Sequence, residues 1–476
     1  MFFIDRLLPD RQQGTGWPFR WVYGRFRTWV DTHPMHALML IMLLTLVLGV
    51  AKLWLDPPSF EFNWENRWWQ IALNVARGDG YVACKTNYFP FCGPTNQVTA
   101  MREPLPVLLF ALIALLTNES LLAAAATGVL VNLAIVVAVF YLARELADTR
   151  TGLLAALLWA FYLAPIRLFY SQVSGDLLAT LGLTCGLVYF LRARRTERWW
   201  DWLAAGVCIG LAILSRSAVL IVALALTAGL ILWPYSHRVM PRHSRDRNLR
   251  PLILFTIAWA LIISPWLIRN TVAFDRPVIG STLSGYYLYR QSYMLPTDNY
   301  LRFVSGGEFE PVLQEMVTQR SDLQGTENEA QMDQIYREEA LRIIGVEPLR
   351  YTALSAYRFL MLWFNWKVNA VYGKHNAVGD YVIMIQHALL LGAGIIGLRG
   401  RWRQAWPLAV SVVAFSLLYM AVMAHLPYIV PVVPLLVAFS AITCVQVGQY
   451  LCTNGWEAVE EDVSDSSVAS IRRHSS

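Results

Sequence analysis

Glu61 and Glu65 stand one turn apart in the stretch FEFNWENRWWQIALNVARG that opens at Phe60. On a helix that spacing puts both carboxylates on one side. A carboxylate so placed can take the proton from a hydroxyl as it attacks; the plainer use is the wet face of a surface helix. Arginine supplies the complementary chemistry, because its planar guanidinium meets phosphate oxygens two at a time. Arg102, Arg216 and Arg269 all fall at the outer membrane surface in the expected topology. Arg216 sits within an otherwise apolar stretch, where a charge is costly and usually functional; a snorkelling side chain in a tight turn is the alternative. Arg269, beside Asn270, suits either a phosphate or an interfacial anchor. Glu103 follows Arg102 directly, and the two can pair with each other. Asp176 in Ser174-Gly-Asp caps a helix or holds an acceptor or a metal, and Lys374 and His375 offer a further phosphate contact or a solvated loop.

These residues need elements to hold them. Phe60, Trp64, Trp68, Ile71 and Val75 recur at helical spacing. Pro57-Pro58-Ser59 starts that helix and Gly78-Asp79-Gly80 ends it. The pattern predicts an amphipathic helix lying in a membrane interface with its tryptophans toward lipid. The apolar run after Arg102-Glu103 is too short to span and predicts a second helix tucked under the same loop.

The rest of the chain is membrane-like. Of 476 residues, 56% are hydrophobic and only 15% charged, where a soluble protein carries about a quarter charged residues. Apolar runs near 20 residues begin at His36, Ser120, Thr151, Asp176, Asp201, Ala218, Pro251, Asp380, Gln404 and Tyr428. The fold class expected is therefore an all-α polytopic membrane protein of about ten transmembrane helices. Arginine clusters at 20–27, 144–150, 192–198, 238–250 and 399–403 all fall in alternate gaps, which the positive-inside rule makes cytoplasmic. The expected organisation is a cytoplasmic segment 1–35 that leads into a signal anchor, a membrane domain 36–450, and a disordered, acidic, serine-rich cytoplasmic tail 451–476. Two extracytoplasmic loops, about 56–119 and 269–379, contain juxtamembrane helices. Within the second, 306–345 predicts a small lobe with too little apolar content for its own core, which must pack on the membrane domain.

The net charge of +6 is explained by orientation, so nucleic acid is not an expected partner; the lipid bilayer is. The four lysines, Lys52, Lys85, Lys367 and Lys374, complete no phosphate-binding P-loop. Cys84 and Cys92, seven residues between them, fall in the first outer loop, where an oxidising compartment would allow a disulfide. Cys185, Cys208, Cys444 and Cys452 lie in or beside spans as small apolar residues. No His/Cys cluster has metal-ligand spacing, and Glu308-Phe-Glu310 is the nearest thing to an acidic nucleotide-sugar motif; no cofactor is required, and a divalent cation beside the carboxylates is compatible with them.

Five segments, in order, resemble the membrane glycosyltransferases of the C-type superfold, including protein O-mannosyltransferases and lipid A aminoarabinose transferases. They are Gln70-Ile-Ala-Leu-Asn-Val-Ala-Arg-Gly-Asp-Gly-Tyr81, Arg102-Glu-Pro-Leu-Pro-Val-Leu-Leu, Gly210-Leu-Ala-Ile-Leu-Ser-Arg-Ser217, Pro265-Trp-Leu-Ile-Arg-Asn270 with Arg276-Pro-Val and Ser281-Thr-Leu-Ser-Gly285, and Tyr428-Ile-Val-Pro-Val-Val-Pro-Leu-Leu. The resemblance implies inverting transfer from a polyprenyl-phosphate sugar donor to a glycan, lipid or protein acceptor at the outer face of a plasma membrane, the inner membrane in a bacterium. It also implies a catalytic acid residue in the first outer loop, which by position is Glu65 or Glu61. The family usually has aspartate there, and often arginine where this chain has Pro427, with His425 nearby. A transporter, flippase or ligase for lipid-linked sugars is the competing reading. Transporters, however, gather polar groups at mid-membrane on broken helices and show repeats, whereas the notable charges here gather at one surface.

Overall fold

The computed structural model describes residues 28–65, 67–84, 88–92, 97–170, 172–236, 245–292, 316, 320, 322–364, 377–399, 401–424 and 426–450. The expected N-terminal segment falls almost wholly outside them. So do the tail, Lys374, His375, His425 and Glu308-Phe-Glu310.

The protein is an all-α polytopic membrane protein. Among the described residues, eight helices are long and apolar enough to cross a membrane: Pro34–Leu55, Leu121–Leu146, Thr149–Leu168, Asp176–Thr196, Leu249–Phe274, Tyr381–Leu398, Trp402–Val422 and Pro427–Tyr450. Two further expected spans, Trp199–Ser215 and Ser217–Leu232, are apolar but shorter. They share a turn at Arg216. In chain order the helices used below are α1 (Pro34–Leu55), α2 (Phe60–Glu65), α3 (Trp68–Arg77), α4 (Pro104–Leu116), α5 (Leu121–Leu146), α6 (Thr149–Ala160), α7 (Leu163–Leu168), α8 (Asp176–Thr196), α9 (Trp199–Ser215), α10 (Leu220–Ser236), α11 (Arg245–Phe274), α12 (Ser284–Ser292), α13 (Glu329–Val346), α14 (Pro348–Phe364), α15 (Ala377–Leu398) and α16 (Trp402–Val422). The last span, Pro427–Tyr450, is α17.

The first outer loop differs from its expectation. The single interfacial helix is two, broken at Arg67, whose φ of 67° is left-handed. Trp68 and Trp69 are 4% and 1% exposed and pack with Ile71, Val107 and Phe110, not against lipid. The break rotates α3 so that its apolar face meets α4, the short helix expected under the loop. Pro104 at the first position of α4 needs no N–H partner there. Between them a two-residue antiparallel pair, Val82–Ala83 with Gln97–Val98, closes a hairpin that the Cys84–Cys92 disulfide bridges.

Within the outer lobe, α13 is started by a capping box between Asn328 and Gln331. It packs on α12 through Tyr286, Tyr289, Met332 and Tyr336, so the lobe shares a core with the rest of the protein as its composition requires. Arg358, fully buried, ties α14 to α12 and α16 by donating to the carbonyls of Gln291 (2.8 Å), Met420 and Ala421 (3.1 Å each).

The charges sort to two ends. At one, Arg150 pairs with Asp31 and Arg195 with Glu145 (2.9 Å), while Arg401 donates to the Leu146 carbonyl (2.8 Å). At the other, α8 begins at Asp176, α9 ends at Ser215 just before Arg216, and α4 begins after Glu103. The 21 residues of α8 separate these ends by about 30 Å at ~1.5 Å per residue.

Candidate active site

Arg216 and Asp176 form a direct ion pair, with side chains 15% and 8% exposed. Arg216 Nε donates to the Tyr419 hydroxyl (2.8 Å), and the guanidinium lies over the Tyr428 ring, 4.2 Å from its centre. Close packing brings these parts together. Gly175, just before α8, has no room for a side chain: a Cβ there would overlap the Ser215 carbonyl and come within 2.8 Å of Pro106 and 3.1 Å of Trp68. Thus α3, α4, α8 and the α9 terminus meet at one glycine; Asp176 follows it in sequence, Arg216 follows Ser215, and Arg102 and Glu103 immediately precede α4.

Glu103 is 8% exposed. Its Oε1 accepts from both the Ser217 N–H and the Ser217 hydroxyl, each at 2.9 Å. It does not pair with Arg102. Oε2 has no hydrogen-bond partner among the described residues. Asp176 lies within electrostatic reach of Glu103, Arg102 and Arg216.

Arg102 stacks on Trp68, 5.4 Å from the ring centre. Burial opposes its charge, but Tyr287, Tyr88 and Glu103 around it raise its pKa, so the guanidinium stays charged. Tyr81 holds this corner from behind, donating to the carbonyls of Arg102 (2.8 Å) and Glu103 (3.2 Å). Burial, followed by the charge of Glu103, pushes the Tyr81 pKa well up, which keeps the phenol a donor.

Of the residues singled out in the sequence, Arg102, Glu103, Asp176 and Arg216 therefore converge. Arg269 and Asn270 stand beside the site with their polar atoms occupied. Arg269 donates to the carbonyls of Thr99 (2.8 Å) and Tyr81 (3.3 Å) and to Asn270 Oδ1 (2.8 Å); Asn270 donates to the Val278 carbonyl (2.9 Å). They set the path of the loop. Glu61 is exposed on α2. The side chain of Glu65 lies outside the described residues; its backbone ends α2, three residues ahead of Trp68. Ser217, Tyr419, Tyr287 and Tyr88 were not singled out. Ser217 follows Arg216 in a quoted motif and was within reach of the sequence, whereas the tyrosines come from distant elements with no local pattern. Among the described residues, no group of three or more His, Cys, Asp or Glu side chains could hold a metal ion. A shallow surface cleft between α4, α5 and α8 is lined by Leu109, Phe110, Ala124, Gly128, Ser174 and Leu177.

Residues 101–268 match the family described as dolichyl-phosphate-mannose-protein mannosyltransferase. The match opens at the residue before Arg102 and runs through α4 to α11, so it contains all four converging side chains. No curated protein matches the chain. Among solved structures, the fold is similar to the archaeal oligosaccharyltransferase AglB from Archaeoglobus fulgidus in complex with an inhibitory peptide and a dolichol-phosphate (TM-score 0.55, 15% identity, covering 91% of this chain and 52% of that one). The apo oligosaccharyltransferase of the same organism is similar to the same degree (TM-score 0.54, 15% identity, 92% and 53% covered). The chain thus spans about half the length of the structures it matches. Segment order, the match over 101–268 and shared helical architecture agree, and the chain is a membrane protein with the fold of the C-type glycosyltransferases.

Proposed function

We propose that this chain, a glycosyltransferase by fold and family match, transfers a sugar from a polyprenyl-phosphate donor to a cell-envelope glycan, lipid or protein acceptor. The observation that carries this reading is the convergence of Arg102 and Arg216 with Glu103 and Asp176 at one end of the helical bundle. In such a transfer the acceptor oxygen attacks the anomeric carbon, the carbon–oxygen bond to phosphate breaks, and the acceptor's proton passes to a carboxylate. Attack opposite the leaving group inverts the anomeric centre. The negative charge grows on phosphate, and Arg102 and Arg216 stand where they can meet it, fixed in advance by Trp68 and by Asp176, Tyr419 and Tyr428.

Two carboxylates are the leading candidates to take the proton: Glu65, the last residue of α2 and three positions before Trp68 in the chain, and Glu103, whose Oε2 is unengaged among the described residues. Glu61, one turn earlier on α2, is exposed and is the further candidate. Asp176, committed to Arg216, orients that arginine. Arg269 and Asn270 act through the loop they hold, and Lys374 and His375 are proposed phosphate contacts from the second outer loop. The arginine-rich end is cytoplasmic by the positive-inside rule, which puts the site on the extracytoplasmic face, in a bacterial inner membrane.

The test is purified protein with polyprenyl-phosphate sugars, following sugar release in wild type and in Glu61→Gln, Glu65→Gln, Glu103→Gln and Asp176→Asn. Consumption by wild type with a loss in Glu65→Gln or Glu103→Gln supports the reading and names the base. If wild type never consumes the lipid, the enzymatic reading fails.

A further inference from the structure

Glu329, at the first position of α13, reaches out of the lobe and accepts three hydrogen bonds: from the Thr99 hydroxyl (2.6 Å), the Ala100 N–H (2.9 Å) and the Thr282 hydroxyl (2.8 Å). It is 6% exposed. The segment it grips has little freedom left. The Thr99 carbonyl accepts from Arg269, the Met101 N–H donates to the Thr99 hydroxyl (3.0 Å), and the Ala100 carbonyl accepts from the Thr282 N–H (3.1 Å). The next two residues are Arg102 and Glu103.

One turn along α13, Asp333 does the same for α12. It accepts from the Gly285 N–H (2.5 Å), the Ser284 hydroxyl (3.2 Å) and Arg337 (2.8 Å). A Cβ on Gly285 would overlap the Asp333 carbonyl, so the two helices are held in contact at that point. Helix α12 carries Tyr287, which lies beside Arg102. A single lobe helix therefore fastens two walls of the site, through a residue 226 positions beyond Glu103 in the chain.

We propose that Glu329 is a positioning residue for the Arg102–Glu103 pair, fastening the outer lobe to the segment that delivers them. A buried carboxylate is a costly way to fill space, and an apolar side chain would satisfy none of the three donors. Burial pushes its pKa up to about 7 against the pull of those hydrogen bonds, so a neutral amide of the same shape can still accept from Ala100 and Thr282. That makes Glu329→Gln the conservative variant and Glu329→Ala the disruptive one.

The inference rests on the proposed lipid-phosphate chemistry for its functional readout, and on hydrogen exchange for one that does not. With full-length protein in nanodiscs, undecaprenyl phosphate is the binding probe, and amide exchange is followed over 97–103. Glu329→Ala is expected to weaken binding about ten-fold or more, the scale of a small misplacement of binding groups, and to raise exchange at 100–103. Glu329→Gln is expected to stay within about three-fold of wild type, with Thr282→Val between the two. Unchanged binding and exchange in a folded Glu329→Ala protein overturns the proposal, as does a Glu329→Gln protein as impaired as Glu329→Ala. Should Glu329→Ala fail to fold, unchanged exchange and binding in Thr282→Val overturns it. If wild type does not bind undecaprenyl phosphate, the functional reading fails separately, and exchange alone decides the latch.

Discussion

Arg216 and Asp176 meet where α8 begins and α9 ends, 40 residues apart in sequence and both largely withdrawn from solvent. The pair fixes the guanidinium against Tyr419 and Tyr428, so an arginine that ends one helix is held by an aspartate that begins another. Removing one partner leaves an uncompensated charge. Arg216→Ala and Asp176→Asn should each cost about 3–5 kcal/mol of stability, the range for breaking a buried pair. Their double mutant should lose less than the sum. Thermal unfolding of the four proteins in one detergent measures the coupling, and an additive result would show that the pair is not energetically linked.

Arg216→Lys keeps the charge but cannot hold Asp176 and Tyr419 with one planar group. Turnover should fall by about 10²-fold, as for loss of an oriented donor at a developing charge, while the unfolding temperature falls less than in Arg216→Ala. Equal turnover in Arg216→Lys and wild type would mean that guanidinium geometry is not used.

Glu103→Gln leaves an oxygen to accept from Ser217 and removes the carboxylate. If Glu103 is the base, turnover falls by about 10²–10⁴-fold with the donor KM nearly unchanged. A rise in KM at constant kcat would instead assign it to binding. Ser217→Ala, which removes only one of the two bonds to Oε1, should show a several-fold smaller effect.

Gly175→Ala tests the packing that assembles the site. Its Cβ would press on the Ser215 carbonyl, a backbone atom that cannot rotate away, and overpacking of this kind costs about 1–3 kcal/mol. Because the displaced element carries Arg216, activity should fall further than the loss of folded protein explains. Specific activity per folded molecule is the measurement; an unchanged value would localise the strain elsewhere.

Glu329 gives the lobe a pH dependence of known sign. Its folded-state pKa, about 7, lies above the ordinary value of 4.5, so the folded state holds the proton more tightly. Its contribution to stability is present in full below about pH 4.5 and is lost as pH rises through about 7. Opening of 97–103, corrected for the intrinsic exchange rate, should increase from pH 5 to pH 8 in wild type by more than it does in Glu329→Gln. Burial shifts Asp333 the same way, so the comparison with Glu329→Gln isolates Glu329. Opening that decreases with rising pH would contradict the assignment.

Local signals carried far in this chain. Apolar runs of span length and the alternation of arginine clusters gave the helices and their two ends, because lipid forces every spanning segment to satisfy its own backbone. The short helix after Glu103 was legible from Pro104 and a run too brief to cross. The cysteine pair was legible from spacing and compartment. Helical spacing alone, however, read residues 60–77 as one helix facing lipid. Arg67 takes a left-handed turn, and burial of Trp68 and Trp69 against α4 outweighs the interfacial preference of tryptophan. No local rule announces that exchange.

The composition of the site was decided in the same two stages. Sequence named Arg102, Glu103, Asp176 and Arg216, since a charge beside apolar sequence demands a reason wherever it falls. What each one touches depends on contacts between helices far apart in the chain. Glu103 chose Ser217 over its neighbour Arg102, Arg269 was taken up by backbone carbonyls, and Glu329 came in from the lobe. Periodicity and charge are properties of neighbours along the chain; partner choice is a property of packing, and only the assembled tertiary structure contains it.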